Sequence, residues 1–159
     1  MRNVKHLECI NCGKTYPAAP GVYTCPDCGA DGILDVKYDY DYIKSRVSKE
    51  MFKENRDFTI WRYSDYLPIE PDSPRPRLRV GWTPLYETKV LAEAIGLEKL
   101  YIKDDGQNPT ASLKDRASAI AVVKAMEEGA KLIACSSTGN AASSLAGNAA
   151  SVGMRTCIF

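Results

Sequence analysis

Lys131-Leu-Ile-Ala-Cys135-Ser-Ser-Thr-Gly-Asn140-Ala-Ala-Ser-Ser-Leu145 is the stretch that decides the fold. Lys131–Cys135 is a short apolar run of strand length. Hydroxyl residues and a glycine follow, and from Thr138 to Val152 the alanine-rich pattern reads as a helix whose small side chains allow close packing on a sheet. Arg155–Phe159 opens a further strand. Upstream, Leu100–Lys103 reads as a short buried strand. Ser112–Gly129 reads as a helix with Leu113, Ala117, Ile120 and Ala121 on its inner face and Gly129 as the C-cap. Strand and helix alternate, so the expected fold class is α/β with a parallel sheet. Thr156-Cys-Ile-Phe159 has no turn signal after it. An apolar strand at a free end is an exposed-edge liability, so the chain is expected to be the N-terminal part of a longer protein.

Composition bounds the function classes. The chain has 159 residues, 45% hydrophobic and 26% charged, with 21 Lys and Arg against 20 Asp and Glu. A net charge of +1 argues against a cationic nucleic-acid binder and against an acidic disordered tail. No apolar run approaches the ~20 residues of a membrane helix. The polar N-terminus is no signal peptide, and with paired CxxC spacing the expected compartment is a reducing cytoplasm.

Three segments differ in composition. Residues 1–35 hold four of the six cysteines, and a segment that small needs a staple to fold. Residues 36–78 are rich in tyrosine and charge, with a short helix expected over Ile43–Phe52. They end in Pro68, Pro71, Pro74 and Pro76, which read as an extended linker. Residues 79–159 are the α/β part.

Cys9-Ile-Asn-Cys12-Gly13 and Cys25-Pro-Asp-Cys28-Gly29 are two knuckles. Each CxxC supplies two corners of a tetrahedron. Gly13 and Gly29 permit the left-handed turn that aims backbone N–H groups at the sulfurs. Cys9, Cys12, Cys25 and Cys28 are therefore expected to hold a structural zinc, all four positions being filled. A redox dithiol pair, or iron in the same tetrahedron, is the other reading. His6, the single histidine, reads as a surface residue, and Cys135 and Cys157 read as buried thiols.

Asn108-Pro-Thr-Ala-Ser-Leu-Lys114-Asp-Arg116 carries the second chemical signal. Asn-Pro-Thr marks a turn. Ser112 with Asp115 three residues on is a capping-box pattern, which makes Ser112 the expected N-cap. Lys114 then falls in the first helical turn. A cation there is disfavoured by the helix dipole, which eases deprotonation, and a neutral amine is what Schiff-base chemistry needs. A solvated lysine paired with Asp115 or Asp105 explains the same stretch. Ser136-Ser-Thr-Gly-Asn140, between a strand and a helix, adds an anion site suited to a carboxylate.

At these residues the sequence resembles the threonine synthases, within the fold type II pyridoxal-phosphate enzymes. Asn108–Arg116 resembles that family's cofactor-lysine motif, and Ser136–Ala142 its asparagine loop. Trp82-Thr-Pro-Leu85 and Lys103-Asp-Asp-Gly-Gln107 resemble its preceding segments. Many members also carry an N-terminal cysteine ribbon. The match covers nearly the whole chain but departs at Ala111, Leu113 and Ala141, where glycine, phenylalanine and a hydroxyl residue are common.

The resemblance implies a zinc ribbon followed by part of a fold type II domain. It implies a pyridoxal-phosphate-dependent lyase converting O-phosphohomoserine and water to threonine and phosphate, with no nucleic acid or membrane as partner. A homodimer stays open. Lys114 would hold the cofactor and shuttle protons, Asn140 would bind the cofactor's phenolic oxygen, and Ser137 and Thr138 would hold the substrate carboxylate. Asp115 and Arg116 would orient the lysine helix. The family's cofactor-phosphate loop is not in this sequence, so the 159 residues alone are expected to be inactive. A serine/threonine dehydratase or cysteate synthase shares the same two loops. A zinc-ribbon binding module is the reading of another class; it would want a basic ribbon, whereas residues 1–35 set Arg2, Lys5 and Lys14 against Glu8, Asp27, Asp31 and Asp35.

Overall fold

A computed structural model describes all of residues 1–159. The chain divides into two compact units, Met1–Arg56 with Tyr63–Asp72, and Asp57–Arg62 with Ser73–Phe159.

The first unit is built on a three-stranded antiparallel sheet in the order β2-β1-β3, with β1 Val4–Cys9, β2 Thr15–Tyr16 and β3 Leu34–Tyr38. Leu7 sits opposite Tyr16 on one side and Val36 on the other. Cys9 ends β1, so the first knuckle forms the β1–β2 connection. The second knuckle is closed by an isolated Thr24–Ile33 bridge and by the Cys25 N–H donating to Gly32 O at 2.8 Å.

Two helices follow, α1 Tyr40–Arg46 and α2 Lys49–Glu54. The sequence pattern reads as one helix over Ile43–Phe52. The structure breaks it at Val47 and Ser48, both extended. Ser48 caps the new helix by accepting the Met51 N–H at 3.1 Å, a role that requires non-helical backbone at the cap itself. Asp39 caps α1 in the same way through Tyr42 N–H. Buried Asn3 donates to Asp65 O and Leu67 O, which fixes Tyr63–Asp72 to the N-terminal strand.

The second unit carries β4 Leu85–Glu87, α3 Lys89–Ala94, β5 Tyr101–Lys103, α4 Lys114–Glu127, β6 Leu132–Cys135, α5 Asn140–Ala150 and β7 Arg155–Ile158. β6 and β7 pair in parallel, Leu132 opposite Arg155 and Cys135 opposite Ile158, with α5 as the crossover. α4 and α5 pack on each other around Val122, Leu145 and Ala149, with Met126, Ile133, Val152 and Met154 closing the cluster. β5 is not the buried strand the sequence pattern indicates. It pairs antiparallel with β4, and every residue of both strands is exposed.

α4 also turns its opposite face inward from the one expected. Leu113, Ala117 and Ala121 are exposed, whereas Asp115, Ser118, Ala119, Val122 and Val123 are buried. The two sets lie about half a turn apart at 100° per residue. The cause is polar: Asp115 is drawn toward α5 by hydrogen bonds, and the helix rotates with it. Cys135 packs half-buried against the core cluster, but Cys157 is exposed.

Candidate functional site

The lysine loop runs from Asp104 to Leu113 and is pinned at several points. Buried Asn108 accepts the Gly81 N–H at 2.9 Å and donates to Asp105 O at 3.0 Å. Asp105 receives a bidentate pair from Arg116, Nε at 2.6 Å and Nη2 at 2.8 Å, and the Thr83 hydroxyl at 2.7 Å. The Arg116 guanidinium, with help from Thr83, holds the Asp105 carboxyl down at about 2. Lys103 Nζ donates to the carbonyl of Thr83. Arg116 therefore ties the first turn of α4 to this loop.

Lys114 is the first residue of α4. Ser112 Oγ accepts its backbone N–H at 3.1 Å, although the N-cap position itself falls on Leu113. Asp115 does not reach back to Ser112 as a capping box would. Its carboxylate accepts the Thr110 N–H at 2.8 Å and the Thr110 hydroxyl at 2.7 Å, then the Ser144 hydroxyl at 2.6 Å and Asn148 Nδ2 at 3.3 Å, both from α5. Asp115 and Asp105 are thus fully engaged elsewhere. The pairing that would have made Lys114 an ordinary solvated ion pair is not formed. The Lys114 side chain is exposed, and no hydrogen bond or salt bridge holds its Nζ.

The asparagine loop lies at the C-terminal end of β6. Ser137 N–H donates to Phe159 O at 3.2 Å, and Ser137 Oγ accepts the Gly139 N–H at 3.2 Å. Gly139 is the N-cap and Asn140 the first residue of α5. Thr138 and Asn140 are exposed, with side-chain polar groups that bond nothing in the chain. Ser144, one turn beyond Asn140, meets Asp115, one residue beyond Lys114. The starts of α4 and α5 are therefore side by side. Asp115, Thr110, Ser144 and Asn148 form a network in which the sequence pattern singled out only Asp115. Its trace was a Ser and an Asn one turn apart in an alanine-rich helix.

In the first unit the Sγ atoms of Cys9, Cys12, Cys25 and Cys28 lie within 4.8 Å of one another. Cys12 Sγ is 3.7 Å from Cys25 Sγ. Tetrahedral sites with ~2.3 Å zinc–sulfur bonds have edges of about 3.8 Å, so the donor set fits a metal ion of that kind. Gly13 and Gly29 adopt φ of 73° and 62°, and the backbone N–H groups of Lys14, Asp27 and Cys28 reach the sulfurs. The Tyr16 hydroxyl lies 3.1 Å from Cys25 Sγ and, with the Cys28 and Asp27 amides, brings the Cys25 thiol down to about 6. His6 stands apart, half-exposed beside Glu8.

Comparison with known proteins gives the class. A family of pyridoxal-phosphate dependent enzymes matches residues 77–159, and the chain belongs to that family. Among its relatives, the threonine synthase of Methanocaldococcus jannaschii is 43% identical over 152 residues, 96% of this chain and 36% of that protein. The threonine synthase of Methanosarcina acetivorans is 44% identical over 154 residues, 97% of this chain and 36% of its own length. The threonine synthase of a Bacillus species is 44% identical over 98 residues. The chain thus spans about 36% of the length of the first two of these relatives. No helix is long and apolar enough to cross a membrane.

Proposed function

We propose that this chain supplies the cofactor-lysine part of a threonine synthase, which converts O-phosphohomoserine and water to threonine and phosphate. The observation that carries the reading is the contrast at the helix starts. Asp105, Asn108, Ser112, Asp115 and Arg116 are all engaged by neighbouring side chains or backbone, while the side chains of Lys114, Thr138 and Asn140 are exposed and bond nothing in the chain. Within these two helix starts the neighbouring polar groups are engaged, and that contrast leaves these three side chains for a ligand.

Pyridoxal phosphate, when bound, supplies an electron sink for bond making and breaking beside the amino group of the substrate. The residues present fit it. Lys114 Nζ is the atom that would hold the cofactor covalently, and as a free amine it would take and return protons as general base. Asn140 offers a neutral amide donor to the phenolic oxygen. Ser137, Thr138 and the first N–H groups of α5 form the cradle for the substrate carboxylate. Arg116 and Asp115 hold the lysine turn in place. The relatives' names and the cysteine ribbon support this substrate over that of a dehydratase, which shares the two loops.

Cys9, Cys12, Cys25 and Cys28 complete the reading with one structural zinc. The sulfur spacing and filled tetrahedron support it, and elemental analysis finding about one zinc per chain is the check.

Treatment with pyridoxal phosphate, borohydride reduction and peptide mapping tests the cofactor role. The label is expected on Lys114 and is lost in Lys114→Arg, because arginine stays protonated and forms no imine. A label on Lys103, or on no lysine of this chain, would overturn the reading. Turnover of O-phosphohomoserine against serine and threonine separates the substrate classes.

A further inference from the structure

The structure assigns Asp115 a positioning role: it locks the lysine loop to α5, so that Lys114 and Asn140 move as one body. This rests on the reading of Lys114 as the cofactor lysine.

Three observations converge. Asp115 is fully buried, yet no cation faces it; its four donors come from Thr110 on the loop and from Ser144 and Asn148 on α5. One carboxylate thus bridges two elements that are far apart in sequence. Asn148 gives both its amide donations to this junction, to Asp115 and to Ser144 O, and leaves its own Oδ1 buried without a partner. An unsatisfied buried acceptor is costly, so the fold favours serving Asp115 over serving Asn148. Independently, the loop touches α5 directly at Gly147. A Cβ there would lie 2.9 Å from Thr110 Cγ2. Contact and hydrogen bonds hold the same loop residue against the same helix.

The chemistry explains why a carboxylate is needed. Asp accepts at both oxygens, whereas Asn in its place would turn an NH2 group toward Thr110 N–H or toward the α5 donors. Hydrogen bonds to a charged acceptor are the stronger kind, and this one lies one residue from Lys114 and one turn from Asn140.

The test uses substitutions that spare Asp115 itself, whose loss risks unfolding. Ser144→Ala should speed amide exchange about tenfold or more within residues 108–114, the far side of the bridge, as expected for loss of a charged hydrogen bond. Thr110→Val should do the same, while Thr110→Ser, which keeps the hydroxyl, should match the parent. Gly147→Ala, ordinarily favourable inside a helix, should loosen residues 108–114, and adding Thr110→Ser should restore them by removing the clashing methyl. In protein carrying pyridoxal phosphate, the pH at which the bound cofactor's visible absorbance changes should shift in Ser144→Ala and return to the parent value in the Gly147→Ala, Thr110→Ser pair. Unchanged exchange in residues 108–114 for both Ser144→Ala and Thr110→Val, or unshifted absorbance, overturns the assignment. If borohydride labels no Lys114 but the exchange pattern holds, the bridge stands and the cofactor reading fails.

Discussion

Ala111 sits in left-handed backbone at φ 56°, next to the lysine turn. A Cβ in that region costs about 1–2 kcal/mol. Glycine would relieve the strain while adding freedom to the unfolded chain, so Ala111→Gly is expected to raise stability by about 0.5–1 kcal/mol, read as a shift in the denaturant midpoint. The departure from the family's glycine at this position was visible in the sequence; the sign of φ that gives it meaning was not. A second single-residue argument concerns Gly32. An added Cβ would lie 2.6 Å from Cys25 Cβ and 2.8 Å from Cys28 Cβ. These are knuckle atoms with no room to yield, so Gly32→Ala should spread the four sulfurs. Metal titration should show at least about tenfold weaker binding, the scale set by disturbing a ligand's supporting shell.

At the scale of elements, α4, α5 and the β6–β7 pair were legible because period and turn chemistry agreed over long enough runs. The rotation of α4 was not. Leu113, Ala117, Ile120 and Ala121 form the more apolar stripe, and hydrophobic patterning alone turns that stripe inward. The polar bridge at Asp115 wins instead, and such a bridge depends on residues from another helix that no local pattern shows. The exposure of β5 was hidden for a similar reason: Tyr101-Ile-Lys103 is apolar enough for a buried strand, but its one neighbour is β4. The lysine and asparagine loops stand out in the sequence because their chemistry is written in residue type, whereas the engagement of Asp105 and Asp115 depends on partners far along the chain.

The loop beneath α4 also carries a pH signature. Arg116 lowers the Asp105 carboxyl from 3.8 to about 2 in the folded chain. A depressed carboxylate stabilises the fold fully above its unfolded value and loses that contribution as pH falls through its folded value. The Asp105–Arg116 contribution should therefore be present at neutral pH and disappear between about pH 4 and pH 2. Asp105→Asn, compared with the parent across that range, should flatten this part of the acid-unfolding profile.

For the whole molecule, the staple and the apolar core belong to different units. Metal loss should melt the three-stranded sheet, since binding and folding are linked in small metal domains. The Val122–Leu145–Ala149 core contains no proposed ligand. Both tryptophans, Trp61 and Trp82, lie in the second unit, so their emission reports on that unit. Chelation at neutral pH should change far-UV dichroism while leaving tryptophan emission nearly as it was. A parallel loss of both signals would show that the second unit depends on the metal as well.

The outward stripe of α4 and the open β4–β5 pair have a colloidal consequence. Leu113 is 58% exposed, Leu85 60% and Tyr101 51%, and the chain's isoelectric point is near 7.5. At that pH long-range repulsion between molecules vanishes, and exposed apolar side chains then weigh most in encounters. Light scattering should find the second virial coefficient lowest near pH 7.5 and rising on either side. Leu113→Glu, at an exposed position, should raise it without moving the melting temperature.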